Sequence, residues 1–334
     1  MIKYADVIVD LQAGDTGKGK VAHFLSSKEN EYTHVVRYNG GGNAGHTIYH
    51  KGQKIVTHFI PIGFAYGLTS VIGLGCVVNV EELFKEIEEI ESKGLEVRKF
   101  LKIDERVHMI TDKHIHEEII ESKIGTTKKG NGPAYRDKYS RKGSRAKDEP
   151  KLQEFLIDIH KEFYSNNEVK ILFEGAQGFE LDIDWGDYPF VTSSHCTIGG
   201  AILNGVPPKY IRNTVGIAKA YSTYVGNKKF EGEDPVFANI RELGNEFGAT
   251  TGRPRQINWL NLDMIKKAID INGVNHLIIN KLDVFKEIGV FKLYYRDKLR
   301  NFANCDDFCS FISCELQTQN NKIKIEFSQS PLTV

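Results

Sequence analysis

Apolar and polar positions along this chain fall into blocks that switch between a two-residue and a 3.6-residue period. Val7-Ile8-Val9-Asp10-Leu11 is a short, largely β-branched run and predicts a buried strand. It enters Gln12-Ala13-Gly14-Asp15-Thr16-Gly17-Lys18-Gly19-Lys20, after which Val21, Phe24 and Leu25 predict a helix. Strand, glycine loop, helix is how an α/β domain opens. Thr33 to Tyr38 and Ser70 to Val78 read as further strands, and Lys51-Gly52-Gln53-Lys54 as a hairpin turn between two extended stretches. Leu83, Phe84, Ile87 and Ile90 share one stripe, which predicts a helix from Glu81 to Lys93 ended by Gly94. Glu168 to Phe173 reads as a strand entering Glu174-Gly175-Ala176-Gln177-Gly178. Leu260 to Ile271 reads as a helix, and His276 to Asn280 as a strand that ends at Lys281-Leu282-Asp283. Lys123 to Arg145, crowded with Gly, Lys and Arg, reads as a long structureless loop, functional or disordered. With no internal repeat and no Pro- or Ser-rich linker, residues 1–334 read as one continuous α/β domain.

Composition narrows the chemistry. Lys plus Arg equals Asp plus Glu at 44 each, so no global field is expected to attract nucleic acid or an anionic membrane. Any anion must be held by a local site. No apolar run reaches the length of a membrane span, and Met1 to Asp6 does not read as a signal peptide, so the cytoplasm is the expected compartment. The five cysteines are Cys76, Cys196, Cys305, Cys309 and Cys314. An odd number in a long chain argues against a disulfide scaffold, and the last three read as thiols on or near a helix.

Several segments carry candidate chemistry. In Gly14 to Lys20, glycines between strand and helix let backbone N–H groups approach phosphate oxygens, and Lys18 and Lys20 add cationic donors. Asp15 would repel phosphate, which makes sense if it binds Mg²⁺ or takes a proton. The loop is not a Walker A motif, because Gln12 and Lys20 stand where a Gly and a Ser/Thr belong; a plain tight turn is the bland alternative. Gly40 to Gly45 matches G-x-G-x-x-G, but Thr47-Ile48-Tyr49 looks extended and no ribose-binding acid follows, so a dinucleotide site is rejected. His46 follows these glycines; a satisfied structural histidine is one reading, but little packing would hold it there, so an exposed acid/base role gains weight. Thr126, Thr127, Arg141, Gln177, Thr192, Ser193 and Thr250-Thr251-Gly252-Arg253-Pro254-Arg255 each read as surface alone. Together they suggest a site for several anions. Lys281-Leu282-Asp283 after a strand reads equally as a guanine-recognition motif or as an ordinary surface pair.

In combination these segments resemble the adenylosuccinate synthetase family. The likeness runs from Val7 to about Leu282. It is carried by Gly14 to Lys20, Gly42 to Thr47, Ile124 to Thr127, Gly132 to Lys138, Glu174 to Gly178, Tyr188 to Ser194, Asn245 to Arg253 and Lys281 to Asp283. The resemblance implies an α/β fold with a mostly parallel central sheet flanked by helices, like that of P-loop NTPases. It implies a GTP- and Mg²⁺-dependent ligase that joins L-aspartate to IMP through a 6-phosphoryl intermediate. It further implies catalytic Asp15, Lys18 and His46, with metal contacts from Asp15 and Gly45. Asp15, Asn43, Thr127, Gln177, Thr192 and Arg253 would contact IMP, and Arg141 would reach it across a homodimer interface. Gly14, Gly17, Lys18, Gly19, Lys20, Gly45, His46, Thr47, Arg255, Lys281, Leu282, Asp283, Ser328 and Ser330 would contact GTP. Ala249, Thr250, Thr251, Gly252, Arg253 and Arg255 would contact aspartate. The chain departs from the family pattern at Ala13, Asp187, His195, Pro254 and Gln256 and at Ser328-Gln329-Ser330-Pro331. It also lacks a long segment between Asp148 and Glu174, like the family's compact forms. Two alternatives are a viral-type synthetase acting on dGMP, against which Asp15 argues, and a GTP-binding regulatory protein without ligase chemistry.

Overall fold

A computed structural model of the chain describes residues 1–121, 125–248, 252–319 and 322–330. Its central strand is Ile2–Asp10, in which every residue from Ala5 to Asp10 is buried. The strand starts earlier than the apolar run suggests, because Asp6 is satisfied inside it: the carboxylate accepts from the Tyr32 hydroxyl at 2.7 Å and from Arg212 Nε and the Asn213 amide at 3.0 Å each. Val169–Glu174 pairs on one side and Ile211–Lys219 on the other, both parallel. Beyond Ile211–Lys219 lie His276–Asn280 and Lys324–Phe327. Beyond Val169–Glu174 lie His34–Gly40, Thr69–Val78, Leu101–Asp104 and Leu156–Ile157, with His108–Met109 pairing on Thr69–Val78. All of these pairs are parallel, so the expected mostly parallel sheet is parallel throughout among the described residues.

Alternation along the strands explains the layers on both faces. Val7, Val9, Val36 and Phe173 face one core with Phe237, Trp259 and Phe285. Ile8, Val35, Ile72 and Leu172 face the other, together with Leu83, Ile87 and Ile90. Those last three come from the helix Val80–Glu91, whose first turn is capped by the Asn79 side chain on Glu82 N. A smaller sheet of Tyr221–Tyr224, Gln256–Asn261, Phe291–Tyr295 and Lys298–Phe302 covers one flank. The hairpin His46–His50/Gln53–Thr57 turns at Lys51-Gly52, as expected.

Two elements differ from the sequence reading. The helix expected from Leu260 runs over Leu262–Asn272, because Leu260 and Asn261 end a strand and the Asn261 side chain caps Met264 N at 3.1 Å. The basic stretch is not structureless: Asn131–Ser140 is a helix that buries Ala134 and Tyr135. Gly130 supplies the left-handed entry at φ 77°, and Gly132 and Pro133 sit in the first turn, where the amide that proline lacks has no helical partner to lose. Among the described residues no helix is long and apolar enough to cross a membrane.

Candidate active site

Parallel strands deliver their carboxyl ends, and the loops after them, to one edge of the sheet, where ligands bind in folds of this kind. Here the loops after Asp10, Gly40, Glu174, Lys219 and Asn280 surround a cleft of ≈ 530 Å³. It is lined by Gly14, Asp15, Gly17, Lys18, Gly19 and Lys20, and by Asn43, Gly45, His46 and Thr47. Thr126, Thr127, Gln177, Thr192, Arg253, Arg255, Lys281, Asp283 and Ser330, also expected from the sequence, line it too. Segments far apart in sequence therefore converge. Among the described residues, eight lining side chains are of charged type: Lys18, Lys20, Arg253, Arg255 and Lys281 against Asp15, Glu118 and Asp283, a cationic excess suited to phosphates and carboxylates.

The glycine loop is pinned from below. Asp10 ends its strand with a buried carboxylate that accepts from the Gln12 amide at 2.9 Å, the Thr16 hydroxyl and Lys18 Nζ at 2.7 Å. Lys18 also donates to the Gln177 carbonyl at 2.6 Å, tying the loop to the strand end at Glu174. Gln12, which replaces a Walker glycine, is a buried peg: its amide donates to the Tyr221 carbonyl and the Ser222 hydroxyl, both at 3.1 Å. Asn280 donates to the Thr16 carbonyl at 2.7 Å. Left-handed Gly14 and Gly17, at φ 88° and 101°, turn the chain so that the helix Lys18–Ser26 starts at the cleft wall. Lys20 donates to Ser328 Oγ at 2.8 Å and the Ser330 carbonyl at 3.1 Å, which brings the C-terminal segment into the site. Burial and the nearby Lys281 lower the Lys20 amine to about 8, with Asp283 opposing. An arriving phosphate would favour its charged form.

Asp15 stands at φ 57° on the loop and pairs with Arg255, Nε to Oδ2 at 3.0 Å. Arg255 is held in turn by Glu246, Nη1 to Oε2 at 2.6 Å. Glu246 is buried and also accepts from Lys219 Nζ at 3.0 Å and the Tyr221 hydroxyl at 2.7 Å. Burial would raise its carboxyl, but Lys219 and Arg255 hold it down at about 2. His46 corrects the expectation of an exposed histidine. The ring is 7% exposed, and its Nδ1 meets Glu174 Oε1, which also accepts from Arg37 Nη2 at 2.6 Å. Burial and Arg37 lower the imidazole to about 4 against the pull of Glu174.

Some expected contacts stand apart from the lining. Leu282 is buried in the core with its amide donating to the Ser328 carbonyl at 3.4 Å, and Ser328 Oγ accepts from Lys20. Gly252 donates its amide to the Gly248 carbonyl at 2.8 Å, outside the lining. Arg141 is exposed at the C-terminal end of its helix and does not line this cleft. Ala249, Thr250 and Thr251 lie outside the described residues, as does Ile124. The network of Arg37, Glu174, Lys219 and Glu246 was not singled out in the sequence. The available signal was a cation inside an apolar strand, as in Val35-Val36-Arg37 and Ile217-Ala218-Lys219, which demands a buried acid. Gln256, which departs from the family pattern, holds a neighbouring loop by accepting from Phe230 N at 2.8 Å and donating to the Lys228 carbonyl at 2.8 Å. The three C-terminal cysteines fall on the helix Cys305–Gln319, as expected.

The family model for adenylosuccinate synthetase matches residues 7–165 and 149–305. The adenylosuccinate synthetase of Chlorobium phaeobacteroides is 39% identical over 354 residues, covering 89% of this chain and 81% of its own. That of Helicobacter acinonychis is 40% identical over 356 residues, covering 90% and 85%. Among solved structures, the fully ligated adenylosuccinate synthetase of Plasmodium falciparum superposes with a TM-score of 0.87 at 28% identity, covering 98% of both chains. The succinoaminodeoxyadenylate synthetase of cyanophage S-2L, solved with dGMP and with dATP as energy donor, shares the fold at a TM-score of 0.73 and 22% identity, covering 99% of this chain and 94% of its own. The chain belongs to the adenylosuccinate synthetase family.

Proposed function

We propose that this cleft joins L-aspartate to IMP at the expense of GTP, forming adenylosuccinate for purine biosynthesis. One observation carries the reading. The phosphate-type loop Gly14 to Lys20 and a second polar set, Asn43, Thr127, Gln177, Thr192 and Arg253, line the same cleft, with Asp15 and His46 also on its wall. A nucleotide switch needs only the first set. In the reaction, Asp15 takes the N1 proton of IMP, and O6 attacks the γ-phosphorus as its bond to GDP breaks. The aspartate amine then adds at C6 and phosphate leaves with O6. Lys18, Lys20 and the loop amides stabilise the transferring group by position and charge. His46 serves O6 as an acid; the phosphate charge arriving in the cleft opposes the burial and the Arg37 charge that hold the ring neutral. Arg253 and Arg255 suit the two carboxylates of aspartate. Asp283 and Lys281 suit the guanine base.

Mg²⁺ fits the donors on the cleft wall. Asp15 would offer it a carboxylate and Gly45 a carbonyl, both hard oxygen donors of the kind Mg²⁺ takes. Such an ion would offset charge on the phosphates. Arg255 Nε meets Oδ2 of Asp15, so its guanidinium competes with a metal or a proton for that carboxylate. Arg141 belongs to a neighbour's site in this reading, and the exposed Tyr139 two residues before it supplies apolar surface for a homodimer. The test mixes protein, IMP, aspartate, GTP and Mg²⁺ and follows adenylosuccinate. Faster turnover with dGMP in place of IMP would reverse the assignment, since Asp15 against N1 leaves little room for a 2-amino group.

A further inference from the structure

We propose that Glu174 is a positioning residue of this reaction: it holds the imidazole of His46 by Nδ1, so that Nε2 is the nitrogen presented to the reacting oxygen. The inference rests on the synthetase reading of the cleft. Its geometry is independent of that reading.

Three elements meet at the ring. His46 opens the strand His46–His50, Glu174 ends Val169–Glu174, and Arg37 lies within His34–Gly40. Their side chains are 8%, 1% and 2% exposed. Glu174 Oε1 receives both His46 Nδ1 and Arg37 Nη2, and Oε2 accepts from the Ile62 amide at 3.3 Å, so the carboxylate is fixed at both oxygens. Arg37 is anchored at its other end by Nη1 donating to the His58 carbonyl at 3.4 Å. The helix start packs against the residue: a Cβ at Gly19 would lie 3.0 Å from His46 Cβ and 3.4 Å from Cγ, so glycine is what fits beside it. Among the described residues nothing bonds Nε2, and His46 lines the cleft.

A buried ion pair is weak evidence for stability, since well-packed apolar residues often serve as well. A carboxylate that also grips the one cleft-lining histidine has a further use. Because a carboxylate only accepts, the proton between it and the ring sits on Nδ1, which fixes the tautomer and leaves Nε2 as the free atom. Arg37 Nη2 stands 3.2 Å from the same Nδ1. With the carboxylate withdrawn, Arg37 becomes the donor there, and the proton must move to Nε2.

Glu174→Asp tests this, because it keeps the charge that Arg37 needs while pulling the carboxylate back by one methylene. Nitrogen-15 spectra of histidine-labelled, ligand-free protein at neutral pH, with the His46 signals assigned from His46→Asn, should show protonated Nδ1 in the wild type and protonated Nε2 in Glu174→Asp. In the synthetase assay, kcat should fall at least about 10-fold, as for other residues that orient a functional histidine, with KM for GTP and IMP changed less than about threefold. His46→Asn should lose about 100-fold, and adding Glu174→Asp to it should cost little more, because Glu174 acts through the ring. An unchanged tautomer, a kcat within about twofold of wild type, or losses that multiply in the double variant would overturn the assignment. Should the wild type make no adenylosuccinate, the functional reading fails while the spectra still decide the Glu174–His46 bond.

Discussion

Glu246 concentrates more of the site's electrostatics than any residue the sequence made conspicuous. It binds Lys219, Tyr221 and Arg255, and through Arg255 it reaches Asp15. Its carboxyl is held at about 2 in the folded chain, below the usual ~4.3 of a solvated glutamate. The unfolded chain therefore binds the proton first as pH falls. The pair's stabilisation is fully present above about pH 4.3 and is lost on the way down to about 2. Glu246→Gln should flatten the acid limb of a stability–pH profile measured by urea melts, and should lower stability at pH 7. An unchanged slope between pH 4.3 and 2 would show that other carboxylates govern acid unfolding. The place of Asp15, Lys18 and Gln177 on the cleft wall was legible because glycine loops advertise close backbone approach. Glu246 and Glu174 were not, since an acid's partner across the fold leaves no mark at short range in the chain.

At the level of elements, the helix Asn131–Ser140 was the main miss. Its sequence has no apolar stripe, and its glycines and proline read as breakers. Scattered anchors hold it: Ala134 and Tyr135 pack with Val77 and Ile110, Lys138 donates to the Leu74 carbonyl at 2.8 Å, and Asp137 meets His114 at 3.2 Å. The Tyr135 hydroxyl accepts from the Gly40 amide at 3.0 Å and lies 2.7 Å from the Gly75 carbonyl, pinning the helix to the ends of two strands. Tyr135→Phe leaves that buried amide unpaired and should cost about 1–3 kcal/mol in denaturant melts. A loss below about 0.5 kcal/mol would mean water replaces the hydroxyl. The same helix ends at Arg141, which its own cleft does not use. Mixing an Arg141→Leu subunit with an Asp15→Ala subunit should restore part of the activity, because one site of the hybrid is intact. No recovery after proven subunit exchange would count against a shared site. Strands and the helix Val80–Glu91 were readable because burial imposes their periods; an element held by scattered, mostly polar contacts has no period to read.

Over the whole molecule, the parallel sheet brings the loops after Asp10, Gly40, Glu174, Lys219 and Asn280 to one edge of the cleft, and the base-end residues Asp283, Lys281 and Ser330 lie there too. A carboxylate accepts both guanine N–H donors, worth about 1.5–3 kcal/mol each, and faces a lone pair on adenine. GTP should therefore exceed ATP in kcat/KM, and Asp283→Asn should remove most of that preference with little change for IMP. An ATP value equal to the GTP value in the wild type would assign Asp283 another task. The central position of Ile2–Asp10 also bears on how the protein is made. Both of its neighbours, Val169–Glu174 and Ile211–Lys219, lie far downstream in the chain. At about 5–20 residues per second of synthesis, the strand waits on the order of ten seconds or more for its first partner. During that time its apolar faces and open edges are exposed, so the protein's yield in a cell depends on what shelters one nascent segment as much as on the stability of the finished sheet.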